Sequence, residues 1–126
     1  MVSCLIWSKS RHQEWAGLVT GHILALSFAT IGELRSGAIS AGWGESRRAI
    51  LERRITQFVP VPGRDAVVDE FAKVHARFRG QFDHNDMWTV ACSLAQPDPL
   101  PVATANLRHF QPMADAFGFV LVHPDL

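Results

Sequence analysis

The chain has 126 residues, 48 % of them hydrophobic and 19 % charged, which fits one domain, residues 1–126, able to bury a sizeable core. Twelve basic and twelve acidic residues cancel, so no global field draws the chain to nucleic acid or membrane, and any anionic partner must be held by a local patch. Cys4 and Cys92 lie in apolar runs without paired spacing and read as small buried hydrophobes of a reducing compartment. The N-terminal apolar run is too short for a signal segment or a spanning helix, so a cytoplasmic protein is expected.

In chain order, "VSCLIWSK" is the start of a helix. "HILALSF" (22–28) has the length and apolarity of a buried strand. In "TIGELRSG", Thr30 and Glu33 have the spacing of a capping box, and Gly37 is placed to end the helix. "ESRRAILERR" (45–54) is an amphipathic helix with a basic face of Arg47, Arg48, Arg53 and Arg54, a solvated surface or a grip on a phosphate backbone. "TQFVPV" (56–61) carries a proline in an apolar run and is expected as an edge strand.

Asp65 is placed to cap the next helix, whose apolar stripe is Val68, Phe71, Val74, His75 and Phe78, with Gly80 closing it. "NDMWTVACSLA" (85–95) is apolar nearly all round, as a helix buried against a sheet is. "LPVAT" (100–104) is a short strand, "PMADAFG" (112–118) a short helix and "FVLV" (119–122) a final strand. Strands alternating with helices argue an α/β layer fold with a parallel sheet.

The densest polar cluster, "DHND" at 83–86, abuts the most apolar helix. A carboxylate in the first helical turn is favoured by roughly 0.3–1 kcal/mol, which accounts for one of Asp83 and Asp86 but not for both. Glu33 follows the end of a strand expected to be parallel, where open α/β sheets place their ligand crevices. Asn106 likewise follows "LPVAT", with Thr104 two residues before it, though "TAN" also reads as a polar turn. The six histidines, at 12, 22, 75, 84, 109 and 123, show no metal-ligand pairing and read as scattered core or surface residues. "GWG" (42–44) lacks the rest of a phosphate-binding loop.

Two blocks together resemble the PIN-domain ribonucleases, the toxin half of VapBC-type toxin–antitoxin pairs. "NDMWTVACSLAQPDPLPVATANLRHF" (85–110) looks like that family's N-D-x-W-I-A-A…L-x-L-x-T-x-N/D-x-x-D-F block, and "ALSFATIGELRSGA" (25–38) is similar to its S-x-x-T-x-x-E-L-x-x-G-A. The resemblance implies a three-layer fold, a parallel sheet flanked by helices. It also implies an acid cluster that holds Mg²⁺ or Mn²⁺ for hydrolysis of RNA phosphodiesters. Carried over, Glu33, Asp86 and Asn106 are the metal ligands and, with Thr104, the catalytic residues. RNA and a cognate antitoxin are the implied partners, with room for a homodimer and no membrane.

Family members open with a central strand ending in an Asp-Thr motif whose Asp is a principal metal ligand. "MVSCLIW" resembles the segment just after that motif. The first strand and its Asp are thus expected to be missing here, through a late start or a truncation. A poorly filled slot between "HILALSF" and "LPVAT" should result, with activity impaired. The alternative is a catalytically inactive PIN-like module that only binds antitoxin or RNA.

Overall fold

The structure is a computed structural model and describes residues 12–126. The expected helix start at "VSCLIWSK" and Cys4 lie outside the described residues. Helix α1 (His12–Val19) is followed by strand β1 (Ala25–Ser27), helices α2 (Phe28–Ser40) and α3 (Glu45–Ile55), and strand β2 (Val59–Val61). Helices α4 (Asp65–Phe78) and α5 (His84–Leu94), strand β3 (Val102–Ala103), helix α6 (Leu107–Phe117) and strand β4 (Leu121–Val122) complete the order.

Both ladders are parallel. β1 aligns with β2 at Ala25–Val59, Leu26–Pro60 and Ser27–Val61, and β3 with β4 at Val102–Leu121 and Ala103–Val122. Among the described residues they form two separate two-stranded sheets, not one continuous sheet. Among the described residues β2 pairs only with β1, so Pro60 sits on an edge strand, where its missing N–H costs no ladder bond.

Between the sheets lies a cavity of about 190 Å³. Leu24 and Ala25 line one side, Val102 and Ala103 the other, and Leu18 and Cys92 close it from α1 and α5. The Val102 and Thr104 N–H groups donate to the Val120 and Val122 carbonyls. Strand alternation therefore turns the Ala103 amide away from β4. The Val59 N–H donates to the Leu24 carbonyl, which by the same alternation turns the Ala25 backbone away from β2.

Helix α5 is the hub. Met87 and Val90 join Val74, Phe78, Val102, Phe110 and Met113 in the larger core, while Ala91 and Cys92 pack on Val61 and Val67. Phe71 of α4 stacks on Trp88 with ring centroids 3.8 Å apart. A helix covered on several sides has no solvated face to mark with polar residues, which accounts for its apolarity. A second core joins Leu26, Leu34, Ala38, Leu51 and Ile55, seating α2 and α3 on β1.

Several local expectations are corrected. Every strand is shorter than its apolar run; Phe28, placed at a strand end, already begins α2. The N-cap of α2 is Ser27, whose Oγ accepts from the Thr30 N–H at 3.0 Å, so Thr30 and Glu33 form no capping box. Gly37 lies inside α2. The helix ends at Gly42, φ +68°, with Trp43 N–H donating to the Ala38 carbonyl and Gly42 N–H to that of Ile39, a Schellman motif. Arg64, not Asp65, is the N-cap of α4, and Val67 rather than Val68 faces the core. Helix α6 begins at Leu107, so Pro112 lies within it; burial of Phe110, Met113 and Ala114 holds the turn despite the absent N–H. Helix α1 falls where the sequence pattern marked no element; its anchor is Trp15, packed near Ala103 with His123 edge-on at 5.5 Å.

Candidate functional site

A second cavity, of about 100 Å³, opens beyond the C-terminal ends of β1 and β3. Thr30, Glu33, Asn85, Asp86, Thr89 and Thr104 supply its polar lining. The chain reaches it by three routes. β1 delivers α2, α5 crosses beside it, and Thr104 follows the end of β3.

Hydroxyls brace the junction of α2 and α5. Ser27 Oγ donates to Thr30 Oγ1 at 3.0 Å, and Thr30 Oγ1 lies 3.4 Å from Thr89 Oγ1 across the helix pair. Glu33 is one turn beyond Thr30 and Asp86 one turn before Thr89, so each carboxylate shares its helix face with a bracing threonine. Two acids far apart in sequence thus line one cavity. Glu33 is exposed and free of the capping duty that its spacing suggested.

Asp83 is the N-cap of α5, but its side chain makes no capping bond. Asp86 lies within the first turn with its side chain 22 % exposed. Burial pushes its carboxyl above the usual range. A hydrogen bond and the charge of His109 pull it back in part, and Asp83 adds a small upward push.

Asn106 does not line the cavity but reaches it indirectly. Its backbone N–H donates to Thr104 Oγ1 at 3.0 Å, closing a turn between them. Its side-chain nitrogen lies 2.9 Å from His109 Nδ1, and that ring nitrogen lies 3.2 Å from Asp86 Oδ2. His109 therefore belongs to the site's surroundings, a correction to its assignment among the scattered histidines. Its position three residues after Asn106, on one helix face, was the available signal.

Asn85 was also missed. Its Oδ1 is buried without a hydrogen-bond partner, while the residue lines the same cavity. A buried acceptor left open asks for a donor or a cation. Carboxylate, amide and hydroxyl oxygens are the donors hard cations prefer, and Mg²⁺ is commonly held by one or two carboxylates while keeping waters. The residues fit such a loosely held ion and not a closed cage: among the described residues no three His, Cys, Asp or Glu side chains gather to hold a metal.

The basic residues of α3 are exposed, with Arg47 over the Trp43 ring at 5.2 Å, and they line neither cavity. No helix among the described residues is long and apolar enough to cross a membrane.

No family model matches the chain, and no curated protein matches it. Two solved structures share its architecture. A chain of VapBC-1 from nontypeable Haemophilus influenzae superposes with a TM-score of 0.74 at 23 % identity, covering 97 % of this chain and 91 % of that one. A chain of VapBC2 from Rickettsia felis, in a complex with a DNA fragment from their promoter, gives 0.70 at 14 % identity, covering 90 % and 84 %. Over nearly its whole length, the chain has the fold of a VapBC component.

Proposed function

We propose that this chain is a PIN-domain toxin of a toxin–antitoxin pair, a metal-dependent endoribonuclease that works in the cytoplasm at the Glu33–Asp86 cavity. The observation that carries this is the meeting of Glu33, Asp86 and Thr104, from three separate elements, around one cavity that also holds the open Asn85 oxygen. The fold shared with VapBC components supports the toxin–antitoxin setting and a cognate antitoxin as partner.

In this mechanism Glu33 and Asp86 would hold Mg²⁺ or Mn²⁺, with Asn106, which does not line the cavity, reaching it from the α6 side through His109. Bound there, the ion would supply a more acidic water and offset negative charge on the phosphate. The chain's own contribution is placement. The Ser27–Thr30–Thr89 hydroxyls fix the two helices that carry the acids. Thr104 shapes the turn that presents Asn106.

Hard-cation affinity depends on the count of charged ligands, and among the described residues two carboxylates, Glu33 and Asp86, line the cavity, so the chain should bind Mn²⁺ weakly and cleave RNA slowly.

The experiment compares cleavage of a mixed RNA pool with added Mn²⁺ by three proteins: the chain, its Glu33→Gln variant and its Asp86→Asn variant. Slow Mn²⁺-dependent cleavage by the chain should be lost in both variants. Cleavage that does not depend on Asp86 sinks the assignment. A second reading, a non-catalytic module that only binds antitoxin or RNA, is favoured by the count of two carboxylates lining the cavity among the described residues. RNA binding by the chain without any cleavage would establish it.

A further inference from the structure

We propose that His109 is the positioning residue of this site, its imidazole fixing the Asp86 carboxylate and the Asn106 amide relative to each other. The inference rests on the assignment of the Asp86 cavity as the site.

Three features place the ring in this role. It is the direct link between α5 and the Thr104–Asn106 turn: Nδ1 lies 3.2 Å from Asp86 Oδ2 and 2.9 Å from Asn106 Nδ2. Asn106 gives up its ordinary task to make this contact. It is the N-cap of α6, yet its side chain forms no capping bond, although asparagine is among the best capping residues. The His109 N–H meets only the Asn106 backbone carbonyl, at 3.2 Å, and the amide side chain is spent on the ring instead. The ring is in turn backed by Phe82, at 5.8 Å between centroids, and Phe82 packs on Phe78 of the larger core.

One nitrogen cannot donate to a carboxylate and accept from an amide at once. Each form makes one hydrogen bond: Nδ1–H donating to Asp86, or a bare Nδ1 accepting from Asn106. The ring stays between the two side chains in both, so its contact with both is a matter of placement, while the bond itself switches with the tautomer. Groups that orient ligands from behind commonly change metal affinity 10–100-fold when removed.

The test uses the 126-residue chain and three variants, His109→Leu, His109→Ala and His109→Asn, the last retaining a polar nitrogen near the place of Nδ1. His109 has 47 % of its side chain exposed, so the core stays intact in each. The first readout is the Asn106 side-chain amide signal in ¹⁵N-resolved NMR without metal. It should shift and exchange faster with solvent in His109→Leu and His109→Ala, and return toward the wild-type position in His109→Asn. The second readout is the Mn²⁺ concentration that half-broadens the Asp86 backbone signal. It should rise about tenfold in the Leu and Ala variants and stay within roughly threefold of wild type in His109→Asn. An unchanged Asn106 signal in both the Leu and the Ala variants overturns the proposal, as does an unchanged Mn²⁺ titration in a wild type that binds the ion. If the wild type shows no broadening near Asp86, the metal assignment fails on its own, and the metal-free Asn106 signal still decides whether His109 positions its neighbours.

Discussion

Burial holds the Asp86 carboxyl above the ordinary carboxylate range, and His109 only partly offsets this. The folded state therefore keeps the proton on to higher pH than the unfolded chain does, whose carboxyl titrates near the usual value of 3.8. Stability falls as pH rises through the window above 3.8, and the penalty is complete once the folded form is ionised. Asparagine has the same shape, accepts the same bond from Nδ1–H and carries no charge. Asp86→Asn should thus unfold at higher urea concentration than wild type at pH 7, with the two converging near pH 3. Equal midpoints at pH 7 would show that the carboxylate is solvated well enough to cost nothing. A site residue that weakens the fold is a familiar trade between stability and activity. In the sequence, Asp86 stood out because a second acid beside an apolar helix exceeded what capping needs. His109 did not stand out, since its contact with Asp86 depends on α6 packing against α5, and Asn85 did not because only the folded chain buries its oxygen.

At the scale of elements, Ser27 joins strand to helix and helix to helix. It ends β1, caps α2 through the Thr30 N–H, and donates to the Thr30 hydroxyl that faces Thr89. Ser27 and Thr30 are buried, so truncation leaves a donor without water or partner. Ser27→Ala should cost about 1–2 kcal/mol by chemical denaturation, the range of a lost cap and an unsatisfied buried group together. It should also weaken Mn²⁺ binding, because Glu33 rides on the helix that Ser27 starts. A loss below about 0.3 kcal/mol would mean that water replaces the hydroxyl. The helices α3, α4 and α5 were legible almost to the residue, α3 from its charged run, α4 from its apolar period and α5 from an apolar run too long for a strand. Strand limits were not, because apolar runs such as "HILALSF" continue into the first turn of a helix without changing composition. Pro112 misled in the same way: proline is favoured at a helix start, and only the burial of Phe110 ahead of it shows that α6 has already begun.

At the scale of the whole molecule, alternating strands and helices made the parallel ladders legible. The division into two short sheets was not legible, since it depends on what lies between the strands and not on the strands themselves. That division makes volume a variable of this protein. Unfolding lets water occupy space that the folded chain holds open, so compression favours the unfolded state, with volume changes of roughly −20 to −100 mL/mol scaling with internal void. A cavity of about 190 Å³, partly open and walled largely by apolar side chains, adds to that change where it stays dry. Under hydrostatic pressure, the fluorescence of buried Trp15, beside the void, should report unfolding at modest pressure. Ala25→Val, which adds two methyl groups to the cavity wall, should raise the midpoint pressure. An unmoved midpoint would mean that water already fills the space at ambient pressure.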